Sequence, residues 1–427
     1  MLTPTNLLFD NCDTVALAKE YGTPLLMISQ SRLEEKSKEI HKDFLDKYNH
    51  VQAVYASKAF LNTAMCKLVE KYGMGLDVVS GGELYVAQTA NFPMRNIVFH
   101  GNNKSYEELS QAVDLQVGRI IVDNPSELRM LEKICAHKNT RVSVLFRITP
   151  EVSSRTHAYI ATADRDSKFG IPLEQVVDEY TYAGRSNFID PLGLHFHVGS
   201  QLQSNTSHLN ALEVVLKLAE DIAKAGFQIS ELNTGGGFGV RYTESDTEMS
   251  LKDFTDPIMN KITTWSQGSG HPMPRVIIEP GRWFIANAGL TIYEIGSVKH
   301  IPNVRTYVSV NGGIPDNIRP ALYTAKYSAQ IANKKDREHG ELVTVAGKCC
   351  ESGDILIRDI ELDSPSRGDF LAVFGTGAYT ESMSSNYNYL PRPAVLLLNK
   401  GEAHLIRRRE SYADLVRRDL VPQYLIE

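Results

Sequence analysis

The amino-acid sequence predicts an α/β fold class, in which a (β/α)8 TIM-like barrel is followed by a mostly β C-terminal domain. Eight short β-prone runs alternate with helical stretches between residues 51 and 280, and eight such units in a row favour a closed barrel. The first run lacks the GxGxxG fingerprint of a dinucleotide-binding open sheet. Polar residues follow nearly every run, as at the catalytic end of a barrel. A doubly wound open sheet uses the same alternation and is the alternative.

The predicted barrel strands are short and mostly apolar. They cover Val51–Ser57, Gly75–Ser80, Asn96–Gly101, Arg119–Asn124, Arg141–Thr149, Leu192–Ser200, Ile229–Gly236 and Pro274–Pro280. Helical periodicity fills intervals between them, at Leu61–Tyr72, Gly82–Ala90, Ser126–Ala136 and Leu209–Ala225. The polar stretch Ser153–Ser167 is interpreted as a mobile loop over the barrel mouth, with a plain surface insertion as the alternative.

The pattern changes after Gly289, where β-prone runs are separated by Gly, Pro and Asp turns with little helical periodicity. These runs are Thr291–Ser297, Thr306–Val310, Leu342–Ala346 and Leu371–Phe374. We therefore expect a barrel domain over residues 30–285 and a β domain over residues 286–427. An early run, Pro24–Ser29, could belong to either domain, so residues 1–29 could pack with the second one.

Composition favours a soluble enzyme of the cytoplasm. The 427 residues are 42% hydrophobic and carry a formal net charge of −6, which gives no electrostatic signature for nucleic acid. The N-terminus lacks a secretory signal pattern, and no run approaches the roughly 18 apolar residues that span a bilayer. We expect neither a nucleic acid nor a membrane partner.

The five cysteines fit neither a disulfide framework nor a zinc site, because their number is odd and their spacing unsuitable. Reduced thiols agree with a cytosolic protein. Cys12, Cys66 and Cys135 have no polar cluster beside them and are interpreted as structural. No metal site is expected.

Lys58 follows the first predicted strand, within Tyr55-Ala-Ser-Lys58-Ala-Phe60. An amine at the rim of an apolar barrel loses part of its solvation, which lowers its pKa and makes it a candidate imine-forming nucleophile. A solvated surface lysine is the alternative.

Other strand ends carry further chemistry. The second strand contains Asp77, the third ends near His100, and the sixth contains His195 and His197. Strand alternation places these last two histidines on the same side. His197 lies nearer the mouth and is the better site candidate, whereas His195 is interpreted as a hydrogen-bonded core residue.

The last two strands run into Gly235-Gly-Gly-Phe-Gly239 and Glu279-Pro-Gly-Arg282. Glycines allow backbone N–H groups to approach an anion, and barrel phosphate sites commonly follow strands seven and eight. A surface ion pair is the alternative for Glu279 and Arg282. A lysine, a phosphate cradle, an acid able to face a pyridine nitrogen and an imidazole able to stack on a ring together describe a pyridoxal 5′-phosphate site.

With these motifs the chain resembles the diaminopimelate decarboxylase family, within the fold-type III, alanine-racemase-like class of pyridoxal phosphate enzymes. The resemblance runs through nearly the whole chain. In the second domain it rests on Arg319-Pro-Ala-Leu-Tyr323, Cys350-Glu-Ser-Gly-Asp354, Gly377-Ala-Tyr379 and Met383-Ser-Ser-Asn-Tyr-Asn388. One departure is Asn311, which stands where the family more often has an acidic residue.

The resemblance implies a set of cofactor contacts. Lys58 would hold pyridoxal 5′-phosphate covalently, His197 would stack on its ring, and Glu279 would keep the ring nitrogen protonated. The phosphate would be held by Ser200, Gly236, Gly237, Gly239 and Tyr379. The implied cofactor contacts are completed by Asp77, Gly281 and Arg282.

The resemblance also implies the substrate and the reaction. Cys350, reaching across the interface of a homodimer, would donate a proton after carbon dioxide leaves. The implied substrate contacts are Arg282, Arg319, Tyr323, Glu351 and Tyr379. Two guanidinium groups suit a dicarboxylic diamine. The implied reaction converts meso-2,6-diaminopimelate to L-lysine and carbon dioxide, the last step of lysine biosynthesis.

Two alternatives remain at this point. The chain could decarboxylate another amino acid, such as a D-amino acid or a carboxylated polyamine. It could also be a regulator that binds pyridoxal phosphate without catalysis, although the presence of both Lys58 and Cys350 argues against this.

Overall fold

The computed structural model describes residues 6–150, 167–244, 246–247, 249–334 and 340–426. The chain divides into two compact units, each discontinuous in sequence. One unit consists of residues 35–240 and 247–284, and the other of residues 1–34, 241–246 and 285–427. The loop expected over Ser153–Ser167 lies outside the described residues, apart from Ser167.

The first unit is a closed barrel of eight parallel strands. They are Val51–Ala56, Gly75–Val78, Ile97–Phe99, Arg119–Val122, Val142–Arg147, Ile189–His195, Glu231–Asn233 and Arg275–Ile278. The eighth strand pairs with the first, with Val276 opposite Val51, which closes the barrel. The predicted fold class is therefore confirmed, and the open sheet is excluded.

Helices follow the strands, and several begin at side chains that cap them. Asn62, Ser80, Ser105, Asn124 and Ser250 each accept a hydrogen bond from a backbone N–H of the first turn. The helices of this unit are Thr63–Lys71, Gly81–Thr89, Tyr106–Asp114, Pro125–Lys138, Leu173–Arg185, Thr206–Lys224 and Leu251–Ser269. Shorter helical segments are His41–Leu45, Ser57–Ala59 and Met94–Asn96. Gln30–Ile40 and Arg282–Ile285 are helices at the limits of the unit.

The sixth strand differs from its predicted range, because it starts earlier, at Ile189, and ends at His195. Its first residues pair with the fifth strand, with Ile189 opposite Val142 and Asp190 opposite Ser143. Farther along, an added Cβ atom at Gly193 would lie 1.8 Å from the carbonyl oxygen of Glu231 on the seventh strand. The glycine therefore permits the two strands to approach closely. Residues after His195 form a loop, so strand alternation does not determine the direction of His197.

The barrel interior is filled by apolar side chains from several strands. Val54, Val98, Ile121, Leu145 and Ile277 form one fully buried cluster. Burial of each such side chain contributes about 1.5–3 kcal/mol. This packed interior leaves the strand ends and their loops as the place where polar side chains gather.

The second unit is mostly β, as predicted. Its strands are Leu8–Phe9, Cys12–Asp13, Leu25–Ser29, Gly289–Ile301, Arg305–Val310, Ala329–Ile331, Gly340–Ala346, Ile355–Asp363, Phe370–Phe374, Ala394–Asn399 and Glu402–Arg407. Its helices and single helical turns are Thr14–Tyr21, Ala286–Ala288, Arg319–Tyr323, Glu381–Met383, Tyr387–Tyr389, Tyr412–Val416 and Gln423–Leu425.

An N-terminal strand lies in the middle of the large sheet of this unit. Leu25–Ser29 pairs antiparallel with Gly289–Ile301 on one side and parallel with Ala394–Asn399 on the other. All five of its residues are buried, as expected for a central strand. Residues 241–246 also belong to this unit, and Tyr242 packs edge-on against Tyr327 with ring centroids 5.6 Å apart. Among the described residues, no helix is both long and apolar enough to cross a membrane.

Candidate active site

The eighth barrel strand is followed directly by Glu279, a buried carboxylate with 6% of its surface exposed. Its Oε1 atom accepts hydrogen bonds from Nε2 of His100 at 2.7 Å and from Nδ2 of Asn233 at 2.6 Å. Its Oε2 atom lies 3.4 Å from Nε2 of His195. Burial alone would raise the pKa of Glu279, but the two histidines outweigh it and hold the pKa well below its usual range. The site therefore contains an ionised acid that can face a cation.

The two histidines of this cluster are buried against each other. The rings of His100 and His195 meet edge-on, with centroids 4.7 Å apart. Burial lowers the pKa of His195 to about 4, so its imidazole is neutral near pH 7. His195 is thus a hydrogen-bonded core residue, as expected, but its partner is the acid of the candidate site. Its Nδ1 atom is buried and has no hydrogen-bond partner among the described residues.

Asp77 is the second buried acid of the cluster, on the second barrel strand. Its Oδ1 atom lies 3.8 Å from Nε2 of His100. Burial raises the pKa of Asp77, and the negative charge of Glu279 raises it further. The pKa of Asp77 is therefore raised while that of the neighbouring Glu279 is lowered. Opposite pKa shifts of two neighbouring acids are a common feature of catalytic sites.

Lys58 lies on the single helical turn Ser57–Ala59, just beyond the first barrel strand. Lys58 is exposed in the single chain, and the expected partial desolvation of its amine stays a prediction. The positive charge of Lys58 affects the pKa values of two residues of the site. It helps burial to lower the pKa of His197 and opposes the rise in the pKa of Asp77.

His197 follows the sixth strand and contacts the glycine loop of the seventh. Its Nδ1 atom accepts a hydrogen bond from the backbone N–H of Gly236 at 3.4 Å. Burial, aided by the charge of Lys58, lowers the pKa of His197 well below its ordinary value. A neutral imidazole in this position is suited to packing on an aromatic ring.

The glycine loop is packed too tightly for any side chain. Added Cβ atoms would lie 2.0 Å from the Glu279 carbonyl oxygen at Gly236 and 2.2 Å from the Gly199 carbonyl oxygen at Gly237. Gly237 also has a φ of +93°, which other residues rarely adopt. The Gly239 N–H donates to the Leu202 carbonyl oxygen at 3.0 Å. Gly239 therefore supports the loop, and its N–H is already used within the chain.

Two of the predicted contacts meet across this loop region. Nη2 of Arg282 donates to Oγ of Ser200 at 3.1 Å. Gly281 begins the turn that holds Arg282, because its carbonyl oxygen accepts the N–H of Phe284 at 3.0 Å. An arginine and a serine hydroxyl beside a glycine loop provide donors for an anionic group.

Three further polar residues lie near Glu279, at the ends of the third, seventh and fifth strands. They are His100, Asn233 and Arg147. His100 was noted from the sequence at a strand end without an assigned role, whereas Asn233 and Arg147 were missed. Arg147 lies over the ring of Phe169 at 4.3 Å and within 3.9 Å of Asp123. Its charge opposes the rise in the pKa of Asp77 and adds to the fall in the pKa of His197. Each is polar and near a strand's carboxyl end, a signal that was present in the sequence.

The second unit holds the remaining predicted residues. Arg319 is buried, and its Nη1 atom donates to the hydroxyl groups of Tyr327 at 2.5 Å and Tyr242 at 3.2 Å. Tyr323 ends the same short helix and is 57% exposed. Tyr379 is half-buried and has a φ of +60°, an unusual conformation for a tyrosine that is typical of functional loops.

A tight loop presents two adjacent cysteines. Asp354 anchors it by accepting the N–H of Cys349 at 2.8 Å and the N–H of Ile314 at 2.8 Å. Cys350 and Glu351 are both exposed. The Glu351 carboxylate accepts the N–H of Gly353 at 3.0 Å, within the same turn.

Asn311, the departure noted in the sequence, uses its amide as a donor. Its Nδ2 atom lies 2.6 Å from Oγ1 of Thr23, and its Oδ1 atom accepts the Glu294 N–H at 3.1 Å. An ionised carboxylate could accept the second bond but could not donate the first.

The barrel cluster fits pyridoxal 5′-phosphate. The glycine loop with Ser200 and Arg282 suits the phosphate, and the ionised Glu279 suits a protonated pyridine nitrogen. Lys58 supplies an amine close enough to lower the pKa of His197. These donor and acceptor types are the ones that the cofactor requires.

Comparisons with known proteins agree with this fit. The model of the pyridoxal binding domain of pyridoxal-dependent decarboxylases matches residues 31–286, more than half of the chain. A diaminopimelate decarboxylase of Bacillus subtilis is 45% identical over 414 residues, which cover 96% of this chain and 94% of that protein. One of Bacillus methanolicus is 46% identical over 401 residues, which cover 93% of each chain.

A solved structure gives the same result. The diaminopimelate decarboxylase of M. jannaschii in co-complex with L-lysine superposes with a TM-score of 0.94 at 34% identity, covering 100% of this chain and 98% of that one. Sequence similarity and fold similarity therefore extend over both units. The chain belongs to the diaminopimelate decarboxylase family of pyridoxal-dependent decarboxylases.

Proposed function

We propose that this protein uses pyridoxal 5′-phosphate to decarboxylate meso-2,6-diaminopimelate to L-lysine and carbon dioxide, the last step of lysine biosynthesis. The observation that carries the proposal is the buried, ionised Glu279, which lies beside a glycine loop at the end of a barrel that also holds Lys58. The relatives of this name match nearly the full chain. A decarboxylase of another amino acid and a non-catalytic regulator are both less well supported, because the similarity includes the substrate-side segments of the second unit as well as the cofactor barrel.

In this proposal the barrel binds and polarises the cofactor. Lys58 holds it covalently until substrate arrives, and His197 packs against its ring as a neutral imidazole. Glu279 stabilises the positive charge on the ring nitrogen, since an ionised carboxylate favours a nearby cation. When bound, the cofactor supplies an electron sink for the pair released as the C–CO2 bond breaks.

In this proposal, side-chain donors and backbone N–H groups around the glycine loop hold the phosphate of the cofactor. Ser200 and Arg282 supply side-chain donors, and Gly236 and Gly237 allow the backbone to approach the anion. We assign Tyr379 a further phosphate and substrate contact, and Asp77 and Gly281 contacts with the cofactor. Gly239 keeps the loop in place through its bond to Leu202.

Substrate recognition and proton delivery are assigned to five residues: Arg282, Arg319, Tyr323, Glu351 and Cys350. Arg319 and Arg282 pair with the distal carboxylate, and Tyr323 contacts the same end. Glu351 pairs with the distal ammonium group. Cys350 delivers a proton to the substrate carbon after decarboxylation, and its exposure leaves the thiol accessible.

We further propose that the active protein is a cytoplasmic homodimer in which Cys350 serves the barrel of its partner. Several large side chains of the second unit are exposed in the single chain, including Leu342 at 61% and Tyr389 at 63%. Such side chains commonly mark protein interfaces. The five cysteines are all free, which agrees with a reducing compartment.

The function is tested with purified protein, added pyridoxal phosphate and meso-diaminopimelate, while lysine and carbon dioxide are both quantified. We expect equal amounts of the two products and a visible absorbance band of the lysine-bound cofactor. L-lysine, L-ornithine, a D-amino acid and a carboxylated polyamine serve as competing substrates. Comparable turnover of any of them would refute the substrate assignment, and cofactor binding without carbon dioxide release from any substrate would favour the regulator.

A further inference from the structure

The two carboxylate oxygens of Glu279 have different surroundings. Oε1 accepts two short hydrogen bonds, from His100 at 2.7 Å and from Asn233 at 2.6 Å. Among the described residues, Oε2 has only the longer 3.4 Å contact with His195. An ionised carboxylate has about two acceptor sites on each oxygen. Oε1 is therefore filled from within the protein, whereas Oε2 keeps the capacity to accept a further hydrogen bond.

We infer that His100 is a positioning residue for the decarboxylation: its Nε2–H fixes Oε1 of Glu279 and leaves Oε2 to accept the ring N–H of the cofactor. This inference rests on the proposed role of Glu279 at the ring nitrogen. The inference assigns a function to a buried histidine that directly follows the third strand and is far from Glu279 in sequence.

The direction of the His100 proton follows from its neighbours. Glu279 is ionised and can only accept, so Nε2 of His100 carries the hydrogen in this bond. Asp77 is the other acid near the same nitrogen, but its oxygen lies at 3.8 Å, beyond hydrogen-bond distance. The Nε2–H group of His100 therefore donates its hydrogen bond to Glu279 and not to Asp77. His100 also lies between two buried acids that would otherwise repel each other.

Asn233 also positions Oε1 of Glu279, but it has a second role. Its Oδ1 atom accepts the N–H of Gly235 at 2.9 Å, so it also holds the glycine loop. A substitution at Asn233 would disturb the phosphate loop together with Glu279. His100 is the better position for a test, because its ring makes an edge-on contact with His195 and has no hydrogen bond to the glycine loop among the described residues.

The test compares His100→Gln with His100→Leu. The glutamine amide can place a donor near the position of Nε2, whereas leucine removes the donor and keeps an apolar side chain. Each variant is loaded with pyridoxal phosphate labelled with 15N in the ring, and the NMR signal of that nitrogen reports its protonation. The dissociation constant of the cofactor is measured by titrating the apoprotein.

We expect His100→Leu to shift the ring nitrogen signal toward unprotonated pyridine and to weaken cofactor binding by about ten- to hundredfold, the value of a hydrogen bond to a charged group. His100→Gln should keep the wild-type signal. A wild-type signal in His100→Leu would overturn the inference, and so would a full shift in His100→Gln.

Glu279→Gln separates this inference from the assignment on which it rests. If Glu279→Gln shifts the signal and His100→Leu does not, Glu279 contacts the ring nitrogen but His100 does not position it. If neither shifts the signal, the assignment of Glu279 itself is wrong. Should His100→Leu fail to fold, His100→Asn replaces it, since its amide occupies the place of Nδ1 and cannot reach Glu279.

Discussion

The backbone N–H of Cys350 donates to Oδ1 of Asn388 at 2.9 Å, which joins the cysteine loop to a second segment of the same unit. The adjacent Cys349 is held differently, by a bond from its N–H to Asp354. Burial, together with the nearby charge of Asp354, raises the pKa of the Cys349 thiol to about 12. The two neighbouring thiols are therefore not equivalent, and only Cys350 is exposed.

This difference predicts distinct effects of the two alanine substitutions. Cys350→Ala should bind the cofactor normally but lower kcat by about 10²- to 10⁴-fold, the usual contribution of a positioned proton donor. Cys349→Ala should stay close to wild type, because its half-buried thiol has no assigned role. Steady-state rates and the cofactor absorbance of both variants check this, and a wild-type rate in Cys350→Ala would remove the assignment.

Mixing two inactive variants tests the proposed sharing of sites between subunits. Lys58→Ala lacks the cofactor lysine and Cys350→Ala lacks the proton donor, so a hybrid dimer should contain one complete site. We expect activity to return after subunit exchange, up to about a quarter of the wild-type value if exchange is statistical. Failure to recover activity despite exchange shown by native mass spectrometry would count against a shared site.

Lys58→Ala should abolish the visible absorbance band of the lysine-bound cofactor, because no other amine is assigned to form that bond. Lys67→Ala is a matched control, since Lys67 lies on the next helix with 54% of its side chain exposed. Spectra of both variants with added pyridoxal phosphate provide the measurement. An unchanged band in Lys58→Ala would place the cofactor lysine elsewhere.

A buried ion pair between Lys104 and Glu127 should matter for stability. Nζ of Lys104 donates to Glu127 at 2.7 Å and to the carbonyl oxygens of Gly101 and Ile121 at 2.7 and 2.8 Å. Lys104→Met leaves a buried carboxylate without its partner and should lower the free energy of unfolding by about 3–5 kcal/mol.

The control for that substitution is Lys138→Met, which breaks the more exposed pair with Asp114. It should lower the free energy of unfolding by less than about 1 kcal/mol. Urea unfolding of the apoproteins measures both. Equal losses in the two variants would show that burial of the Lys104 pair has no special effect.

His208 should make stability depend on pH. Its Nε2 atom lies 3.0 Å from the Gly236 carbonyl oxygen, and burial lowers its pKa to about 4 from an ordinary value of 6.5. Between these two pH values the unfolded chain binds a proton that the folded chain does not. The free energy of unfolding should therefore be fully retained above pH 6.5 and fall by up to about 3 kcal/mol as the pH drops to 4.

His208→Gln should flatten this decline, since it removes the buried imidazole. His137→Gln, at an exposed position of the helix Pro125–Lys138, should keep the wild-type slope. Chemical unfolding of the apoproteins at a series of pH values gives the slopes. A His208→Gln slope equal to that of wild type would contradict the prediction.

The barrel was predictable because the sequence pattern of each strand and helix lies within the element itself. Each βα unit carries its own apolar run, turn and helical periodicity, so strands such as Gly75–Val78 and helices such as Pro125–Lys138 lie close to their predicted ranges. The sixth strand was misplaced because its first residues, Ile189 and Asp190, are defined by pairing with the fifth strand, which is a contact between strands.

The environment of Glu279 was not predictable in the same way. Its partners His100, Asn233 and His195 come from three other strands, and only barrel closure brings them together. The sequence indicated that each was polar and near a strand end, but the pairing depends on tertiary geometry. The single helical turn Ser57–Ala59 that carries Lys58 after the first strand was also not predicted.

The position of Leu25–Ser29 determines when the second unit can be completed during synthesis. This strand is made well before both of its neighbours, Gly289–Ile301 and Ala394–Asn399. The barrel region can begin to fold while synthesis proceeds, because its strands pair mainly with sequence neighbours. The central strand of the sheet stays unpaired until Gly289–Ile301 is made, and its other edge stays open until Ala394–Asn399 follows, which exposes an apolar segment to aggregation during that time.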